Sequence, residues 1–474
     1  MGWRKMRVGT AVAAGTLLAG MMTVPAHALT MVGCSETELR DAITASNGML
    51  GGDTLQLTSY CVYTLTDTFG QLPTLIQPLV IVGNNATIRR DPTALSDYRL
   101  FQVTTGGSLD MSTLTLMNGS YGPATVGGGA VAVTEAGGPL ITNNVNFQGN
   151  RATGRGGAVY LNTTSAAPSS ITGGTFSDNM AMNIGGGGIF TQGGTLTVDS
   201  ATMTRNRAGF GGGIYADGTK LTVEDSIVSN NTGVFGGGGI ILLDGNAGTP
   251  VNITDTAITD NSVTGSAEGG GGIVASLATG NVTTITDSTI SGNTVTGYTA
   301  IDGFGNRGGG INKETGTSGQ LILDNTDVTA NRIIGASGQG AGIAAGGGSP
   351  AGVLTLRNGT SVTRNLASGR YSQGGGLYTE NGEGDALTVA IDTTSIDTNK
   401  VTGTGSAAAG IYNLDATVSL NGGSVSNNTA PAAPAPGGIS TVDVPISSVT
   451  GTTITGNTPT NCLLSPMPVA TCMG

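Results

Sequence analysis

Between Asn150 and Asn457 the chain writes one four-residue string eleven times: a branched or bulky apolar residue, two small polar residues, then Asn. Phe147–Asn150 reads FQGN, Phe176–Asn179 FSDN, Met203–Asn206 MTRN and Ile227–Asn230 IVSN. ITDN, ISGN, VTAN, VTRN, IDTN, VSNN and ITGN follow, ending at Asn261, Asn293, Asn331, Asn365, Asn399, Asn428 and Asn457. A small-residue cluster and a Val, Ile or Leu come after each of the first ten, as in Gly156–Tyr160, Gly211–Tyr215 and Gly374–Tyr378. The Asn residues are 24 to 38 apart. A fixed element order with elastic spacing marks a repeat array, which adds coils rather than separate cores.

Within one unit, Leu196 and Val198 alternate with Thr, the period of a strand with one buried face. Asp199-Ser200 breaks that strand as a turn pair. Met203 points inward, Asn206 closes the short strand, and a polar loop leads to Gly211-Gly212-Gly213 and the inward Ile214. Such a unit holds too few apolar side chains to bury a core alone. Stacked in register, each strand pairs with its equivalents above and below at about 4.8 Å. The expected fold is therefore all-β: a parallel β-helix solenoid of about 13 coils, roughly 60 Å long or more. In-register Asn150, Asn179, Asn206, Asn230 and their later equivalents are expected to form a hydrogen-bonded ladder. Gly supplies the corners.

The ends differ from the middle. Residues 1–28 read as a secretory signal, with Arg4, Lys5 and Arg7, an apolar run and Ala26-His27-Ala28. Residues 29–70 read as an N-terminal cap. Ser35 and Glu38 fit a capping box, and Leu39, Ala42 and Ile43 form one apolar stripe at helical spacing. Residues 71–457 are the β-helix, and 458–474 a C-terminal cap. The four cysteines, Cys34, Cys61, Cys462 and Cys472, allow three pairings; the end-local one is favoured because a long rod keeps its ends apart. An even count in an exported chain reads as disulfides. No further apolar run suggests a bilayer anchor.

The Asn string paired with a Gly-Gly-small-aliphatic cluster resembles the repeats of the bacterial polymorphic outer membrane protein family. The stretch from Cys34 through Leu39-Arg40-Asp41-Ala42-Ile43 to Gly52-Asp53-Thr54 resembles the N-terminal domain named for its Cys-Ser-Leu-Arg-Glu-Ala string, here interrupted by Glu36 and Thr37 and carrying Asp41 in place of Glu. The resemblance implies a secreted or surface-associated right-handed β-helix of the pectin-lyase-like class. The family's adhesin members carry a C-terminal membrane barrel, whereas only 17 residues follow Asn457 here.

Chemistry-bearing motifs are sparse. Removing the signal removes the single His and the single Trp, so nucleophilic catalysis with a His base has no candidate. No glycine run is followed by Lys-Ser or Lys-Thr, so none reads as a phosphate loop. Asp199, Glu224, Asp225, Asp255, Asp287, Asp324 and Asp392 recur just after the first strand. Stacked carboxylates suit calcium, but Asn143 and Asn421 fill equivalent places, and the turn reading is preferred. No cofactor is expected. Asn325-Thr326-Asp327 matches one string of the β-helix polygalacturonases without the others that those enzymes need.

One pattern escapes the repeat. Arg151, Arg155, Arg205, Arg207, Arg307, Arg332, Arg364 and Arg370 lie in or beside the loops between Asn and Gly cluster, together with Phe210, Phe235, Tyr298, Phe304 and Tyr371. Stacked coils would gather these loops into a basic, aromatic-bearing stripe, suited to carboxylates or sulfates and to sugar rings. The leading expectation is a secreted, non-catalytic interaction or adhesion module at the cell surface, binding an acidic polysaccharide and no nucleic acid. The alternatives are a calcium-dependent polysaccharide lyase with an Arg base, and a structural spacer.

Overall fold

Leu196 stands opposite Leu221, Val198 opposite Val223 and Met203 opposite Val228, each pair one repeat apart and in parallel register. The same relation builds the rest of the molecule. The computed structural model describes residues 29–124, 126–134, 136–163, 167–244, 248–265, 269–297, 306–382, 384–431, 436–463, 465–469 and 472. The signal segment 1–28 and the aromatic candidates Tyr298 and Phe304 lie outside the described residues.

Among the described residues the strands form three parallel sheets of 26, 10 and 12 strands. Sheet I holds two strand positions per turn, such as Thr195–Asp199 and Thr202–Thr204. Sheet II follows the Asn, as at Arg207–Phe210, and sheet III follows the Gly cluster, as at Ile214–Asp217. The result is a right-handed parallel β-helix of about 13 turns. Inward rows such as Met203, Val228, Ile258, Ile290, Val328, Val362 and Ile396 are fully buried. They join one apolar core that runs from Val32 to Val469. Each such side chain contributes about 1.5–3 kcal/mol by leaving water.

The Asn side chains form a continuous ladder. Asn206 Nδ2 donates to Asn231 Oδ1 at 2.9 Å and to the carbonyl of Phe176 at 2.9 Å. The Asn206 backbone N–H donates to the same Asn231 oxygen at 2.9 Å. The pattern repeats at Asn150, Asn179, Asn261, Asn293, Asn331, Asn365, Asn399, Asn428 and Asn457, and ends on Asn461. The expectation for Asn230 is corrected: its neighbour Asn231 occupies the ladder. Ile227 is 45% exposed while Val228 is buried, so the inward string in this turn is Val228–Asn231, shifted by one residue. Asn230 instead takes the left-handed position before the ladder, with φ 57°.

Glycine has two separate tasks in the cluster. Gly211 has φ 61°, and Gly212 sits so close to the next turn that a Cβ would lie 2.4 Å from the Gly238 carbonyl oxygen. At the N-terminal end, helix Glu36–Asn47 is opened by Ser35, whose Oγ accepts from the Glu38 N–H at 3.2 Å. Its Leu39 and Ile43 are buried in the same core. Disulfides join Cys34 to Cys61 and Cys462 to Cys472, with Cα separations of 5.7 and 6.3 Å. No helix of the described residues is long and apolar enough to cross a membrane.

Candidate functional site

Alternation within sheet III decides which side chains reach its outer face. In each strand the first and third residues point into the core and the second points out. In-register pairing stacks Ala132, Tyr160, Phe190, Tyr215, Ile241, Val274 and Asn312 into one outward column. Tyr160, Phe190 and Tyr215 stack ring on ring, with centroids 5.5 and 5.0 Å apart. Phe190, Ile241 and Val274 are buried although they point away from the core: Arg155 lies over the Phe190 ring, and Gly237 and Gly270 lie against Ile241 and Val274.

A groove lies beside this column. Phe210, Tyr215, Ile241, Leu243, Val274 and Glu314 line a depression of about 300 Å³. Leu243 also belongs to a second depression of about 530 Å³, with Asp217, Ser276, Leu277, Ala278, Thr279, Gly316, Thr317, Ser318 and Ser349. The wall residues come from five successive turns, so the groove runs along the rod axis for roughly 19 Å. Its floor is aromatic and aliphatic; its rim carries hydroxyls and carboxylates. Asp217 is held in place by Gln192 Nε2, which donates to it at 2.8 Å.

Two largely buried ionic groups lie in the neighbouring turns. Lys313 takes an inward position in sheet III, opposite Ala275. Its Nζ donates to the Thr317 and Gly346 carbonyls at 3.0 Å each and to Thr317 Oγ1 at 3.3 Å. Burial lowers its pKa to about 8, against a weaker opposing pull from Asp385. Further along, Arg307 pairs with Glu380 and donates from Nε to Gln339 Oε1 at 3.0 Å. Gln339 donates to the Tyr378 hydroxyl at 3.0 Å, and that hydroxyl donates to Glu380 at 2.8 Å. Burial, then the adjacent Glu380 carboxylate, pushes the Tyr378 pKa up.

The structure divides the expected stripe between two faces. Phe210 turns to the groove and packs on Phe235 at 5.5 Å. Arg155 lies 4.9 Å over the Phe190 ring, partly buried, and Arg307 is tied to Glu380. Arg205 is bound at both ends of its fork by Asp178, at 2.8 Å each, and this contact holds the Asp178 carboxyl below its ordinary range. Arg370 lies over its own neighbour Tyr371, 5.3 Å from the ring centre. Arg151, Arg207, Arg332 and Arg364 remain exposed. Three of these share one row with a lysine that the sequence reading passed over. The first outward position of sheet II reads Ser120, Arg151, Met180, Arg207, Thr232, Ser262, Thr294, Arg332, Leu366 and Lys400.

The recurring carboxylates sit at the bend between the two strand positions of sheet I. Asp225, Asp255, Asp287 and Asn325 occupy its left-handed position with φ of 48–49°. Asp324 accepts from Arg357 Nε at 2.9 Å and from Asn358 Nδ2 at 2.8 Å. Among the described residues no group of three or more His, Cys, Asp or Glu side chains is placed to hold a metal ion. Thr326 of the Asn-Thr-Asp string points inward and donates to the Ile285 carbonyl at 3.0 Å, which separates it from any surface chemistry.

Sequence reasoning missed Tyr215, Ile241 and Val274 as outward-pointing groups of sheet III. The signal was the residue after the inward aliphatic, the Tyr of Gly211–Tyr215, which alternation sends outward.

A family model described as a right handed beta helix region matches residues 102–287. No curated protein matches the sequence. Among solved structures, the chain is similar to the A-module of the mannuronan C-5 epimerase AlgE6 of Azotobacter vinelandii. The identity is 12%, the match covers 88% of this chain and 94% of that one, and the TM-score is 0.29.

Proposed function

We propose that this β-helix is an extracellular, non-catalytic binding module that holds an extended polysaccharide along the groove beside sheet III. The observation that carries the reading is the shape and chemistry of that groove: five turns long, with Tyr215, Ile241 and Val274 beneath and Asp217, Ser276 and Thr317 at its edge. Sugar rings offer apolar C–H faces to an aromatic floor and hydroxyls to a polar rim. Many weak contacts along a rod suit a linear polymer better than a small molecule.

Export and a surface location fit this reading. Two disulfides persist in oxidising compartments, and residues 1–28 have the composition of a secretory signal. The repeat resembles those of polymorphic outer membrane proteins, which supports the same placement. Helix Glu36–Asn47 then serves to close the first turn, whose apolar interior would otherwise meet water.

The test is a panel of neutral and acidic glycans titrated against the protein and against a Phe210→Ala/Tyr215→Ala double variant. Loss of the two rings lowers affinity about tenfold or more. Ile334→Ala, on the outer face of sheet II, leaves it unchanged. Equal binding by the double variant contradicts the groove as the site.

A further inference from the structure

The outward row of sheet II has ten positions, of which four are cations and none is a carboxylate. The chain as a whole carries 30 acidic and 19 basic residues, so this separation runs against composition. Arg151, Arg207, Arg332 and Lys400 are all exposed, and no salt bridge among the described residues includes them. Their spacing follows from register. Arg151 and Arg207 are two turns apart, as are Arg332 and Lys400, which is about 10 Å; four turns, about 19 Å, separate the two pairs. Hydroxyls of Thr232, Ser262 and Thr294 fill the interval.

We infer that this row is a second binding surface, distinct from the groove, for a linear acidic polysaccharide. The guanidinium fork matches carboxylate and sulfate geometry. The row follows the stacking direction by in-register pairing, and so presents its charges to a chain rather than to a compact anion. Charge density favours a sparsely charged polymer. A duplex nucleic acid brings one charge per about 1.7 Å, far denser than the row can match. It would also meet the field of a protein whose formal net charge is −11. An acidic polysaccharide with separated charges meets the same field with fewer charges, so the row's attraction is opposed less.

Electrophoresis through gels containing polygalacturonate, or an alternating polymer with one uronate carboxylate per disaccharide, or neutral dextran tests this surface. The wild-type protein is retarded by at least one acidic polymer and not by dextran, and retardation weakens as salt rises. Arg207→Gln/Arg332→Gln/Lys400→Gln, changed only at exposed positions, loses at least tenfold in affinity for that polymer. Tyr215→Ala retains it, which separates failure of this row from failure of the groove. The inference is overturned if the wild type is retarded by neither acidic polymer, if the triple variant is retarded equally, or if duplex DNA competes better than the polysaccharide.

Discussion

Asn206 donates its side-chain amide to Asn231, one turn on, while its own side-chain oxygen accepts from Asn179 at 2.9 Å. The neighbour Asn230 has no place in this chain of bonds. Asn231→Ala therefore removes the acceptor for both the Asn206 backbone and side-chain donors and one of the donors to the Met203 carbonyl. Each buried group left unpaired costs about 1–3 kcal/mol, so a loss of roughly 3–5 kcal/mol is expected in denaturant melts. Asn230→Gly, at a left-handed position open to water, changes stability by no more than about 0.5 kcal/mol. Equal effects at the two positions would contradict the shifted register.

Lys313 makes stability depend on pH in an unusual direction. Its folded pKa is about 8, against an ordinary value of 10.5, because burial disfavours the ammonium. Between those two values the unfolded chain binds the proton more strongly, so stability rises with pH. Below about pH 8 the cost is constant, at most about 3 kcal/mol. Melting temperatures at pH 7.5 to 9.5 should climb for the wild type and flatten for Lys313→Met. The range stops short of the ordinary tyrosine pKa of 10, because Tyr378 and Tyr412 resist ionisation when folded and act in the opposite direction.

Two ion pairs of similar appearance are expected to differ in worth. Arg205 and Asp178 are 59% and 45% exposed, while Arg307 and Glu380 are 19% and 12% exposed. Asp178→Asn loses a solvated contact, roughly 0.5 kcal/mol or less. Glu380→Gln leaves Arg307 with an uncompensated, largely buried charge and weakens the Tyr378 contact, costing about 3 kcal/mol. Paired chemical melts check the ranking, and a larger loss at Asp178 would reverse it.

Reduction of Cys34–Cys61 should loosen one end and leave the middle intact. The bridge spans 27 residues, for which about 3 kcal/mol of stabilisation is typical. Each turn contacts only its neighbours, so the effect falls off along the rod. Hydrogen exchange should rise in helix Glu36–Asn47 and strand Val62–Leu65, with the ladder from Asn261 to Asn399 still protected. Uniform loss of protection would show global rather than local coupling.

The repeat was legible because every turn meets the same geometric demand. Inward Met203, Val228 and Ile258, the corner glycines and the ladder all follow from period and stacking. The single misplacement, at Asn230, arose where two Asn residues stand together and Ile227 and Val228 are equally apolar. Only the neighbouring turn decides which of them faces the core. The groove was harder to read. Tyr215 belongs to the same string as the core Ile214, and the burial of Val274 depends on how the corner at Gly270 packs against it. The cation row was half visible: Arg151, Arg207 and Arg332 stood out, but Arg205 looked equivalent until Asp178 was seen to neutralise it, and Lys400 lay outside the expected set.

Groove occupancy by an extended chain is tested most directly by titrating the protein with a length series of one oligosaccharide that it binds. The account predicts that affinity rises with each added unit until the oligomer spans about 19 Å, then levels off, and that Phe210→Ala/Tyr215→Ala depresses the whole curve. A monosaccharide that binds as tightly as the longest oligomer, or a curve that the double variant leaves unmoved, would contradict it.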